Sequence, residues 1–212
     1  MPTMTAMTAK RKEIMNAAMR ERAFECATEL LRAEGWRKFT MEKLARAMGV
    51  SKGTLYNYFV DKRDVICFIR KCIVEDVCTM VEKGLGSVVD SREFLNRVID
   101  ITLERMGEFR FVAMAFLDMA LTQDRESFLE CASDFIQEKM LADVLKRCMD
   151  EGIVRQGDPL LMAITLNASI AALELSCNLV YGYDISEPKV RKQVADWLLN
   201  GILVDKEDME DK

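Results

Sequence analysis

Apolar positions in this chain recur at steps of three and four over most of its length, and no stretch shows the strict alternation that marks a half-buried strand. The pattern predicts an all-α protein. It is sharpest at Met41–Met48, where Met41, Leu44, Ala45 and Met48 share one face of a short helix with Thr40 as its cap. Gly49 then stands where a helix closes in a left-handed conformation, Val50 offers one apolar plug, and Ser51 can accept from the free N–H groups of a second helix. In that second helix Leu55 and Phe59 point inward, while Gly53, Thr54, Tyr56 and Asn57 fall on the other half, flanked by Lys52 and Tyr58. Two short helices around a tight glycine turn, the second with small, polar and aromatic residues outward, form the helix-turn-helix plan for entering the major groove of DNA.

The same periodicity frames the other elements. A first helix is expected over Lys12–Ala33, with Ala23, Ala27, Leu30 and Leu31 inward and Gly35 ending it, after a poorly ordered stretch of Thr, Ala and Met over residues 1–9. Trp36 and Phe39 close a three-helix core with Leu44 and Leu55. Asp61 caps a long fourth helix from Lys62 to Lys83, where Gly84 and Gly86 break it; its apolar stripe makes it a rod joining two halves. Further helices follow: a fifth ending near Gly107, a sixth over Phe109–Leu121, a seventh over Asp124–Glu151, an eighth from Pro159 to about Val180, and a ninth from Pro188. The expected division is an N-terminal helix-turn-helix domain at 1–60 and a C-terminal helical domain at 61–212, about nine helices in all. The apolar run Leu160–Tyr181 matches a bilayer in length, but Asn167, Glu174 and Asn178 would be costly inside one, which predicts a buried helix of a soluble protein with no membrane partner.

Charge sharpens the division. The formal net charge is −5, yet the first 70 residues hold 14 Lys+Arg against 8 Asp+Glu, a net of +6, leaving −11 for the rest. A basic module on an acidic body suits a protein that presents one end to phosphates. Seven cysteines without a C-x-x-C pair argue against a disulfide scaffold, and the series Cys67, Cys72 and Cys78 reads as buried thiols rather than a redox or metal sensor. The absence of histidine removes the usual zinc patterns and most acid–base schemes, so neither an enzyme nor a cofactor or metal is expected. The N-terminus lacks the apolar core of a signal peptide, which predicts a cytoplasmic protein.

The run VSKGTLYNYFVDK, preceded by FTMEKLARAMG, resembles the DNA-binding domain of the TetR (tetracycline-repressor-like) family of bacterial transcriptional regulators, from about Phe24 through Ile66. The resemblance implies that base edges are met by Lys52, Gly53, Thr54 and Tyr56, and that phosphates are gripped by Thr40, Asn57, Tyr58 and Lys62. The chemistry agrees: Gly53 lets the backbone come close, Lys52 can donate to guanine O6 and N7, the Thr54 methyl can meet a thymine methyl, and Tyr58 and Lys62 suit phosphate oxygens. Ordinary packing is an equal account of either tyrosine taken singly. Glu42 and Asn57 occupy positions that vary in the family.

The family also implies a homodimer whose last two long helices pair across a two-fold axis. Here Leu166, Ile170, Leu173 and Cys177 give one candidate face and Val194, Trp197 and Leu198 its partner, the alternative being packing inside one subunit. The second domain is then expected to hold a small effector near Met106, Phe109, Met114, Phe116, Met119 and Phe135, with Asn167 either orienting the ligand or lying in the dimer seam. The reading is a ligand-responsive homodimeric repressor, released from a palindromic operator on double-stranded DNA by an apolar or amphipathic small molecule. Its rivals are an architectural DNA binder without effector and a helical carrier of hydrophobic molecules.

Overall fold

The computed structural model describes residues 4–85, 90–121 and 136–200, and all of their regular elements are helical. Helix α1 spans Met4–Glu34, followed by a 3₁₀ turn at Trp36–Lys38, α2 at Met41–Met48, α3 at Lys52–Tyr56 and α4 at Lys62–Leu85. Then come α5 at Ser91–Glu108, α6 at Arg110–Leu121, α7 at Ile136–Asp150, α8 at Pro159–Ser176, a π-helical turn at Cys177–Tyr181, and α9 at Pro188–Asn200. The expected all-α architecture is the observed one. Several boundaries differ. α1 begins at Met4 rather than near Lys12, because the Ala, Met and Lys residues ahead of the amphipathic stripe are good helix formers with no breaker among them. α4 runs through Gly84 to Leu85, and the start expected for the seventh helix lies outside the described residues.

The chain divides into two units, Met1–Arg70 and Lys71–Lys212. The division falls inside α4, ten residues later than position 60, because Val65, Ile66 and Ile69 are buried and Phe68 packs on Phe59 at 5.3 Å between ring centroids. The first unit is built on Ala23, Ala27 and Leu31 of α1, Phe39, and Leu44 and Leu55 of the two short helices, all at most 1% exposed. Removing such a leucine costs about 2–5 kcal/mol, enough to unseat a domain of this size.

The second unit has its own core. Leu95, Ile99 and Leu103 of α5 share one buried cluster with Leu141 and Leu145 of α7, Ile170 of α8, Val194 of α9 and Val81 of α4. Ion pairs fix the helices around it: Arg105 of α5 donates to Asp76 of α4 at 2.9 Å, and Arg191 of α9 donates to Asp100 of α5 at 2.6 Å. Buried Thr102 satisfies its hydroxyl on Val98 O at 2.8 Å.

α8 does not match the expectation of a buried helix. Asp158 caps it by accepting from Leu160 N and Leu161 N at 2.9 and 3.0 Å, and Pro159 occupies the first turn. Its buried residues are Ala163, Leu166, Ile170 and Glu174, a single stripe spaced by three and four. Only 22% of the helix is buried, although its length and composition alone would allow it to cross a membrane. Leu160, Leu161 and Ile164 are exposed apolar side chains. Composition without a second apolar stripe's orientation could not distinguish a helix surrounded by its own chain from one with a bare apolar side.

Candidate nucleic-acid interface

The candidate reading head is assembled by caps and a left-handed turn. Thr40 Oγ1 accepts from Lys43 N at 3.3 Å, opening α2 and drawing Thr40 into a structural role. Gly49, at φ 71°, closes that helix, and Val50 N then returns to Ala45 O at 3.0 Å. Ser51 Oγ accepts from Thr54 N at 3.0 Å to open α3. Leu55 is fully buried beneath it and Phe59 nearly so, and Phe59 N donates to Leu55 O at 3.1 Å. A helix of five residues is far too short to hold itself, so its position comes from this anchorage.

Lys52, Gly53, Tyr56 and Asn57 are exposed, and Thr54 and Tyr58 are half-buried. Of the expected base-directed residues, Lys52, Gly53 and Tyr56 are therefore open on α3 and Thr54 only partly so. The Thr54 hydroxyl is taken up by Ser51 Oγ at 2.8 Å, which leaves its methyl as the part suited to an apolar contact. Gly53 has room around it: an added Cβ would meet only Ser51 Oγ, at 3.9 Å. Lys62 opens α4 with its ammonium 4.2 Å from the Trp36 ring centroid, and Trp36 stacks on Phe39 at 6.3 Å. That perch restrains a long side chain that would otherwise lose rotamer freedom on gripping a phosphate.

Two partnerships were not evident from spacing. Lys43 of α2 bridges Glu34 of α1 and donates to Lys38 O at 3.1 Å, which ties the first reading-head helix to α1. Glu42 is ion-paired with Lys52, and the Lys52 ammonium also lies 5.8 Å from the Tyr56 ring centroid. The pair's hydrogen bond is the main influence holding the Glu42 carboxyl below its ordinary range and pushing the Lys52 ammonium up. Separated by ten positions on different helices, these residues gave no periodic signal, and only an i,i+3 or i,i+4 pair would have done so.

The C-terminal candidates are less unified. Met106 packs against the core, Phe109 and Phe111 meet edge to face at 5.9 Å, Met119 is 2% exposed, and Met114 is exposed. The side chain of Phe116 and the whole of Phe135 lie outside the described residues. Asn167 has both polar side-chain atoms buried without a hydrogen-bond partner among the described residues.

The candidate dimer faces are buried to different degrees within the single chain. Leu166, Ile170 and Val194 are buried in the core of one chain, and Leu173, Cys177 and Leu198 pack against that core. The stripe with the best helical spacing was the one the chain uses itself. Trp197 alone of the seven stands exposed, at 69%. Among the described cysteines, Cys26, Cys72, Cys78, Cys148 and Cys177 are reduced, whereas Cys67 is disulfide-bonded, contrary to the expectation of a thiol there.

A helix-turn-helix DNA-binding domain followed by a helical domain defines a class of transcriptional regulators. Residues 24–66 match the family described as bacterial regulatory proteins, tetR family. The family match thus covers the helix-turn-helix region of the chain, residues 24–66. The chain is 28% identical over 158 residues to an uncharacterized HTH-type transcriptional regulator of Mycobacterium tuberculosis strain H37Rv, a match covering 71% of this chain and 64% of that relative's length. Its fold is similar to that of the fatty acid degradation regulator FadR from Bacillus halodurans, with a TM-score of 0.73 at 18% identity over 86% of this chain and 95% of that one. It is also similar to the Thermus thermophilus FadR repressor solved with lauroyl-CoA, with a TM-score of 0.68 at 24% identity over 88% and 96% of the two chains.

Proposed function

We propose that this chain is a cytoplasmic, homodimeric repressor that binds a palindromic operator through α3 and leaves it when a small apolar or amphipathic effector occupies the C-terminal domain. The observation that carries DNA reading is the open surface of Lys52, Gly53 and Tyr56 on a helix anchored by Leu55 and Phe59. Lys52, Gly53, Thr54 and Tyr56 serve base edges, while Asn57, Tyr58 and Lys62 serve phosphates and Thr40 acts mainly as the cap that orients α2.

One head of this size neutralises few phosphates, so useful affinity needs a second copy. The bare apolar side of α8, with Leu160, Leu161 and Ile164, together with Trp197 of α9, supports pairing through a different face from the one the helical stripe suggested. The effector part rests on the apolar second domain, on the buried amide of Asn167, and on the acyl ligand of the Thermus relative. An effector that prefers one arrangement of the second domain would move α4 and the spacing of the two heads, releasing DNA by its differential affinity for the two states.

The test is selection of bound fragments from random duplex DNA with the full chain, followed by a screen for molecules that release them. A palindrome enriched by a dimer and released by an acyl or similarly amphipathic compound is the expected result. A selected sequence that no effector releases leaves an architectural binder. Binding that ignores added salt removes DNA altogether and favours a carrier.

A further inference from the structure

The carboxylate of Glu42 is favoured in the free protein by Lys52 and by its place in the first turn of α2, but it is disfavoured beside a phosphate backbone. Glu42 lies in the first turn of α2, and its side chain pairs with Lys52 at the start of α3; the two side chains are 56% and 53% exposed. An ion pair this open contributes little to stability. A negative charge beside the reading helix also opposes binding to a polyanion, and the pair removes Lys52 from the cations free to release counterions. The helix start accounts for a carboxylate at this position and bulk affinity for DNA opposes it, but neither accounts for its being placed on Lys52, the cation that heads α3.

The major-groove edge of a G·C pair presents two acceptors, guanine N7 and O6, beside one donor, the cytosine N4 amine; an A·T pair presents acceptor, donor, acceptor. A lysine ammonium has three donors, so one bond to Glu42 leaves two, and a carboxylate accepting one bond retains further lone pairs. The joined side chains thus offer donors beside acceptors, the complement of a G·C edge. At A·T the carboxylate would meet the thymine O4 acceptor and repel it. The Tyr56 ring, 5.8 Å from the same ammonium, further limits where Lys52 can swing.

Building on the DNA reading proposed above, we propose that Glu42 is a specificity-determining residue of this surface, reading one G·C pair in each half-site jointly with Lys52: Lys52 donates to guanine and Glu42 accepts from cytosine N4.

The experiment compares the full-length wild type with Glu42→Gln and Glu42→Ala, using selection from random duplexes and then competition between the selected site and versions with G·C replaced by A·T at each position. Thermal unfolding of each variant checks the fold, which side chains this exposed should leave unchanged. Wild type is expected to prefer G·C at one symmetric position, and each variant to lose about tenfold or more of that preference. Affinity for unrelated DNA is expected to rise in both variants, with the log–log salt slope steeper by about 0.9 per head as Lys52 becomes available to phosphate. Unchanged base preference at every position, with only a uniform shift in affinity, overturns the proposal and leaves Glu42 as a solvated ion-pair partner. A wild type that enriches no sequence instead overturns the DNA reading beneath it, and the proposal falls with that.

Discussion

Gly107 is buried near the end of α5, and replacing it with alanine sets helix propensity against packing in a way that can be worked through. An added Cβ would lie 2.8 Å from both Cβ and N of Ser186 and 3.1 Å from its Cα. Carbon contacts sit near 3.5–4.0 Å, so the turn before α9 would have to retreat by roughly 0.7–1.2 Å. That turn is held. Ser186 N donates to Asp184 Oδ1 at 2.9 Å, and Arg191 donates to Ser186 O at 2.8 Å while also bonding Asp100 of α5 at 2.6 Å. Retreat stretches these bonds, and overpacking of this kind costs about 1–3 kcal/mol with about 1 kcal/mol more for each weakened hydrogen bond. Against this, alanine gains about 1 kcal/mol over glycine within a helix. The net expectation is a loss of about 2 kcal/mol, or a fall in Tm of about 4–8 °C for a chain of this length. Circular dichroism at 222 nm, with protein concentration fixed, measures it. A Ser186→Gly change in the same chain should restore only part of the loss, because the Ser186 nitrogen still obstructs. If Gly107→Ala melts at or above the wild-type temperature, propensity outweighs the contact and the close approach is not what selects glycine there.

Gly53→Asp should leave Tm within a few degrees, since the position is exposed and open, yet weaken operator binding by about a hundredfold or more in gel-shift titrations, because a charge and added bulk meet the groove at both heads; retained affinity would show that this surface reads nothing. Leu161→Asp and Trp197→Asp, at positions 63% and 69% exposed in the single chain, should preserve helicity but raise the dimer dissociation constant at least about tenfold in sedimentation equilibrium, and an unchanged constant would place the dimer contact elsewhere. Cys148 is fully buried, and burial pushes its thiol up to about 11, so only about one molecule in a thousand carries the thiolate at pH 8. Alkylation followed by mass spectrometry should find it unmodified at pH 8 while Cys72 and Cys78 react sooner, the gap closing in denaturant; rapid native labelling of Cys148 would contradict the burial.

What the sequence determined by itself was whatever depends on short range. Thr40, Gly49 and Ser51 specify cap, turn and cap within twelve residues, and the Leu44, Leu55 and Phe59 positions follow from helical spacing, so the reading head was legible together with its exposed face. Tertiary structure decided which of several suitable stripes would be buried and by what. α8 carries apolar residues on most of its surface, and periodicity could not say that Leu166 and Ile170 belong to the chain's own core while Leu161 and Ile164 remain bare. Gly107 marks the end of the fifth helix, which closes at Glu108, and only the tertiary structure makes it also a contact point for Ser186, almost eighty residues on. The Glu42–Lys52 pair likewise exists only once the turn at Gly49 folds α3 back toward the start of α2. Local conformational preferences act over one or two turns of chain, whereas the choice among competing apolar faces and the meeting of distant side chains depend on packing that no local pattern encodes.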